Sequence, residues 1–158
     1  MKRTGVMFTL MLAAVFAIGA VPAAASAAEP VIVPEPAIAE MLAEVPGGVL
    51  IDSNHAVWPE LDMEMTVPVA SGVSARAVAG CATGKICAFN AAFADGNFLS
   101  FGTCGIHSIP SSFTVKSVAN ARSSGTAQAR NGATVLKSIS AGTYQNTTGT
   151  VTNIRCIL

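Results

Sequence analysis

Charge and aromatic rings are scarce in this chain of 158 residues, of which 11% are charged, with one Trp and one Tyr. A core built from it has to rest on Phe, Val, Ile and Leu. Acidic side chains almost vanish after residue 75, where Asp95 is the single Asp or Glu. Paired carboxylates for acid–base work are therefore missing from the C-terminal half, and no nucleophile-elbow motif occurs. No enzyme activity, catalytic residue or cofactor is expected. The four cysteines, separated by 5, 16 and 51 residues, include no Cys-x2-Cys pair, and neither His55 nor His107 stands near them at ligand spacing. A zinc site is not expected. His55 falls in a predicted turn and His107 in the loop after Cys104, where both read as solvated side chains; Asp95 reads as structural.

What is present begins with a targeting signal. Lys2 and Arg3 precede an apolar run from Val6 to Ala20, and Ala25-Ser26-Ala27 offers a small-residue cleavage site. Residues 1–27 read as a secretory signal peptide. As a membrane span the run is short, and Pro22 with small residues follows it in place of a charged stop. No later segment is long and apolar enough to act as an anchor. The product is expected to be secreted and extracellular, with no membrane or nucleic-acid partner. All four cysteines, Cys81, Cys87, Cys104 and Cys156, lie in the exported part and imply two disulfides, with three pairings open.

Residues 28–76 read as an N-terminal extension. Pro36 suits the first turn of a short helix with apolar Ile38, Met41, Leu42 and Val45, stopped by Pro46-Gly47-Gly48. A hairpin follows, Val49–Ile51 and Ala56–Trp58 about Asp52-Ser53-Asn54. Leu61, Met63, Met65 and Val67 then alternate onto one face of a half-buried strand. Ser71–Ala77 reads as a linker. Residues 77–158 read as a separate β domain. Strands are expected over Lys85–Phe89, Phe98–Phe101, Phe113–Val118, Ala127–Arg130, Thr134–Ile139 and Thr150–Ile157. Asn90–Asn97 is a broad turn, Asn131-Gly132 a hairpin turn, and Gly105–Ser112 and Gly142–Gly149 are loops. Short strands at this spacing predict an all-β class, a small sandwich or Greek-key barrel.

Cys81 to Cys104 holds three cysteines and four of the seven phenylalanines. Within it Cys81-x5-Cys87 and Phe89-x3-Phe93-x2-Gly96, with Ser117-Val-Ala-Asn120 further on, resemble a βγ-crystallin-type Greek key. The resemblance is to the small secreted actinobacterial proteins of the streptomycete metalloproteinase-inhibitor family, over roughly residues 80–157. It implies that aromatics and a glycine fold the first hairpin over and that Ser117 bonds back to it. The same residues also fit plain roles, Phe89 and Phe93 as core and Ser117 as an ordinary strand residue. Gly96 comes one residue later than in the family pattern. The family's Cys81–Cys87 loop is implied, and the alternation of Ile154, Cys156 and Leu158 onto one core face then points to Cys104–Cys156. Some crystallin-like domains bind calcium just before the motif serine. Here Ser112–Ser117 has no carboxylate and carries Lys116, so no metal is expected.

The resemblance implies a peptidase inhibitor that blocks a protease cleft sterically, with Gly105–Ser112 and Gly142–Gly149 as the candidate loops. The family's second cysteine-closed loop is missing here, so its inhibitory contacts do not carry over. A cationic toxin or antimicrobial factor, or a structural envelope protein, are the other readings. Asn146-Thr147-Thr148 matches a glycosylation sequon but reads as a polar loop. Charge adds one further expectation. Between Ala28 and Ala75, Glu29, Glu35, Glu40, Glu44, Asp52, Glu60, Asp62 and Glu64 face no Lys or Arg, whereas Arg76, Lys85, Lys116, Arg122, Arg130, Lys137 and Arg155 face only Asp95 afterwards. The acidic segment reads either as a soluble leader that touches nothing or, the preferred expectation, as a cover for a basic face of the β domain, as an integral layer or as a pro-segment released near Arg76. Release would leave a cationic domain suited to anionic cell-wall polymers.

Overall fold

A computed structural model describes residues 31–69 and 78–158. The signal peptide and the Ser71–Ala77 linker with Arg76 lie outside the described residues. Helix α1 spans Pro36–Glu44, with a proline opening its first turn and Pro46-Gly47 beyond its end. It buries Ile38 and Met41, one turn apart on one face. The Trp58 indole N–H donates to Val45 O at 2.9 Å, satisfying a carbonyl just past the last turn. Strands β1 (Val49–Asp52) and β2 (His55–Trp58) form the expected hairpin, and β3 (Met63–Thr66) returns along β2. Leu61, expected on the buried face of that strand, is 49% exposed in a 3-10 turn, Pro59–Leu61. Pro59 fixes a helical φ there, and Asp62 then turns left-handed before the ladder begins.

Eight further strands follow among the described residues: β4 (Ile86–Phe89), β5 (Phe98–Phe101), β6 (Ile106–Ser108), β7 (Ser117–Asn120), β8 (Thr126–Asn131), β9 (Thr134–Ser140), β10 (Thr143–Asn146) and β11 (Asn153–Ile157). Both expected loops contain a strand. In Gly105–Ser112, Gly105 O and Ile109 N–H bond to Cys156 and Thr152 and draw β6 against β11. In Gly142–Gly149, β10 lies along β7. The strand expected at Phe113–Val118 begins only at Ser117. A turn closed by Phe113 N–H to Pro110 O delays it, although Phe113 and Val115 still reach the core. Between β8 and β9, Asn131 pairs with Thr134, so the turn residues are Gly132 and Ala133, Gly132 at φ +55°.

The strands form two antiparallel sheets, a larger one ordered β1-β2-β3-β5-β4-β7-β10 and a smaller one ordered β6-β11-β8-β9. Their facing sides share one apolar core. Met63, Met65, Ile86, Leu99, Phe101 and Val118 come from the larger sheet, and Ala127, Ala129, Ile139 and Ile154 from the smaller. Four strands cannot cover seven. Helix α1 joins the same core beside β2, with Ile38 and Met41 packed in the cluster that holds Trp58. Because β3 pairs with β5, residues from both sides of the linker belong to one sheet, and Val31–Leu158 cluster as one compact unit.

The outer face of the larger sheet has its own cover at the centre. Cys81, Cys87, Phe89, Phe98, Ala119 and Ala121 form a second buried cluster. Strands β4, β5 and β7 are consequently buried on both faces. Their unbroken apolar or small runs suit that environment better than alternation would. Leu158, expected to share the core face with Ile154 and Cys156, is 81% exposed beyond the end of β11.

Candidate functional site

The motif residues meet in the turn between β4 and β5. Phe89 is buried and its ring centroid lies 5.2 Å from that of Phe98. Ser117 Oγ donates to Ala91 O at 2.7 Å and accepts from Ala94 N–H at 2.9 Å, the bond back to the hairpin that the resemblance implied. Gly96 sits at φ +76°, and a Cβ there would collide with Asn90 Oδ1, so the turn needs glycine for both reasons. Phe93 corrects the sequence reading. It is neither core nor a folded-over anchor but 71% exposed, because Phe93 and Ala94 both take left-handed φ values. Asn146 Oδ1 accepts the Phe93 N–H at 2.8 Å, so the sequon asparagine ties β10 to this turn. Asp95 is structural: its Oδ1 accepts the Gly96 N–H.

The disulfides are Cys81–Cys87 and Cys104–Cys156. The second staples the start of the Gly105–Ser112 segment to the last strand. Around that staple, other groups fix the chain from residue 102 onward. Asp62 Oδ2 accepts the N–H of Gly102 (2.9 Å) and of Thr103 (2.6 Å) and the Thr103 hydroxyl (2.8 Å). Partial burial pushes the Asp62 carboxyl up, but the Thr103 and Gly102 donors and the nearby His107 outweigh it and hold it below its usual range. Arg122 Nη1 donates to Gly102 O at 2.8 Å and to Gly84 O at 3.0 Å. His107 is buried, contrary to its reading as a solvated side chain. Its ring stacks on Phe101 at 4.6 Å, and Nε2 lies 3.0 Å from Thr103 O.

A second clamp closes the far end of the segment. Glu44, the last residue of α1, accepts the Ser111 N–H and hydroxyl at Oε1, both at 2.7 Å. Its Oε2 takes the Ser112 hydroxyl and the Ser112 N–H. The Ser112 and Ser111 hydroxyls, aided by the two backbone donors, lower the Glu44 carboxyl from 4.5 to about 2. Hydrogen bonds to the charged form have that sign. Sequence inspection gives no hint of this contact, since Glu44 and Ser111 stand 67 residues apart.

Between the two clamps the chain is an edge. Among the described residues strand β6 pairs with β11 alone, at the margin of the smaller sheet. Gly105 O and Ile109 N–H point toward β11. Antiparallel alternation then aims the N–H and C=O of Ile106 and Ser108 at the open side. The Ile106 side chain is 64% exposed. An open groove of about 420 Å³ adjoins the clamped turn and is lined by Ile109, Pro110, Phe113, Val115, Val151 and Lys116, among others.

A polar cluster on the outer face was not foreseen. Glu64 Oε2 lies 2.6 Å from Lys85 Nζ, 3.3 Å from Ser100 Oγ and 3.9 Å from His55 Nε2. Hydroxyl, imidazole and ammonium all address one carboxylate oxygen, and no hydrogen bond among the described residues joins Ser100 to His55. At its centre is the Lys85–Glu64 ion pair, whose carboxylate also accepts the Ser100 hydroxyl. Among the described residues no group of three or more His, Cys, Asp or Glu could hold a metal ion, and no helix is long and apolar enough to cross a membrane. Compared with protein-family models, curated proteins and solved structures, the chain matches none.

Proposed function

We propose that this is a secreted binding protein of the crystallin-like peptidase-inhibitor class, blocking a protease cleft sterically. The type of fold is supported by strand crossing. In each run of four strands, β4–β7 and β8–β11, the first, second and fourth lie in one sheet while the third crosses to the other. The Ser117 bonds to the first hairpin support it as well.

The observation that carries the inhibitor reading is the doubly braced edge at Gly105–Ser112. A disulfide, Asp62 and Arg122 hold one end and Glu44 the other. A segment already fixed in extended form loses little ordering entropy on binding. It also offers unpaired main-chain groups to a partner that adds a strand. Of the two segments expected from the sequence, this one is the better braced. The test is titration of the secreted protein against a thermolysin-like and a subtilisin-like peptidase, with growth of indicator microbes scored in parallel. Stoichiometric inhibition of one peptidase is expected. No inhibition at micromolar excess would remove this reading, and growth arrest in its place would favour the toxin.

A further inference from the structure

Resting on the inhibitor reading, we infer that Ile106 is the side chain that fills the partner's primary pocket, that the partner is an endopeptidase with an apolar pocket, and that Ile106–His107 is the bond presented to it. Peptidases take a substrate as an extended strand through main-chain hydrogen bonds, with alternate side chains in pockets. At β6 the free N–H and C=O of Ile106 face the open side, and its side chain is 64% exposed. The neighbouring carbonyl is committed, since Gly105 O accepts the Cys156 N–H at 2.7 Å. Of the two carbonyls on the open side, those of Ile106 and Ser108, only that of Ile106 belongs to a large apolar side chain, which places Ile106 on the acyl side of the bond. A β-branched side chain has few rotamers to lose on insertion. No charged residue stands in Gly105–Ser108, so the complementary pocket is apolar.

Other exposed apolar residues fit less well. Phe93 is more exposed, but its left-handed backbone cannot lie as a strand in a cleft. Tyr144 on the β10 edge lacks a disulfide in its own segment and is 40% exposed. Should the partner cut the bond, one water is consumed, leaving a carboxylate on Ile106 and an amine on His107. Neither end can leave. The Ile106 side is held through Cys104–Cys156, and the His107 side through its pairing with Ile154, its stacking on Phe101 and the Glu44 clamp. Slow cutting with the product retained is the consequence.

The test compares the secreted protein and its Ile106→Lys variant on a subtilisin-like enzyme with an apolar pocket and a trypsin-like enzyme with a basic-selective one. Because Ile106 is exposed, the thermal melt should not change. Inhibition of the subtilisin-like enzyme should fall by about 100-fold or more, the scale of an unpaired charge placed in an apolar pocket, and inhibition of the trypsin-like enzyme should appear. Prolonged incubation should yield a single new amine, at His107. Unchanged inhibition by Ile106→Lys, or a cut elsewhere, would overturn the assignment while leaving the inhibitor reading intact. If the unaltered protein inhibits a thermolysin-like peptidase but neither of these two enzymes, the assignment falls and the inhibitor reading stands; if it inhibits none of the three, both fall.

Discussion

Produced from residue 77 onward, without the acidic extension, the β domain is expected not to fold as a soluble monomer. Strand β5 would lose its ladder with β3, from Met63↔Phe101 to Thr66↔Phe98, and become an edge strand paired on one side only, with β4. An exposed apolar edge is a template for aggregation. The core would also lose Ile38, Met41, Trp58, Met63 and Met65. At about 1.5–3 kcal/mol for each large apolar side chain, that loss matches the roughly 5–15 kcal/mol of a whole domain's stability. Adding a peptide of residues 31–69 should restore a soluble complex. A cut near Arg76, the release step expected from charge, would leave both pieces paired.

Docking is also less electrostatic than the charge division implied. Among the described residues one Lys–carboxylate pair crosses the linker, Lys85 with Glu64 at 2.6 Å. Glu44 and Asp62 instead take backbone N–H groups and hydroxyls. Reassociation should therefore survive high salt, because apolar burial is not screened as exposed ion pairs are. Analytical ultracentrifugation and thermal melts of the two pieces, apart and mixed, check this. A monomeric 77–158 fragment that melts at the parent temperature would contradict it.

Replacing both Cys104 and Cys156 by serine should cost more stability than replacing Cys81 and Cys87. Their sequence separations are 52 and 6 residues. By loop-closure entropy the longer cross-link contributes about 4 kcal/mol and the shorter about 2. The larger loss corresponds to a fall of roughly 12–20 °C in Tm for a domain of this size. Inhibition should weaken as well, since Cys104 anchors the β6 edge. Melting curves of the two double variants give the answer, and a Cys104/Cys156 variant that melts at or above the Cys81/Cys87 variant would refute it.

Local chemistry is what the sequence made legible. The helix at Pro36, the first hairpin and the β4–β5 pair are fixed by neighbours in sequence. The Cys81–Cys87 loop is implied by the family resemblance, since the residues alone leave three pairings open. Strands β6 and β10 escaped notice because their identity depends on distant partners: β6 on β11 and β10 on β7. Read alone, Gly105–Ser112 has Ile106 and Ile109 but is cut short by Pro110, and Gly142–Gly149 has Tyr144 alone among turn and polar residues. Phe93 misled for a different reason. Its spacing from Phe89 suits an anchor, but the left-handed turn that ejects it is sustained by Asn146 and Ser117, from elsewhere in the chain. The Glu44 clamp has no sequence signature, since a helix-terminal carboxylate meets two serines only after the extension has docked.

Residue-resolved amide exchange across Gly102–Phe113, corrected for intrinsic rates, tests the braced edge most directly. Above pH 4.5 the amides of Gly102, Thr103, His107, Ile109, Ser111, Ser112 and Phe113 should be protected, and those of Ile106 and Ser108 should exchange freely. The Glu44 carboxyl is depressed in the folded state, so its contribution is complete above its ordinary value of 4.5 and is lost as pH falls through about 2. Ser111 and Ser112 should accordingly lose protection across that interval while Ile109 keeps it. Uniformly fast exchange from Gly102 to Phe113 would mean a loose loop, and protection at Ile106 a covered edge; either result would contradict a rigid strand held ready for a peptidase cleft.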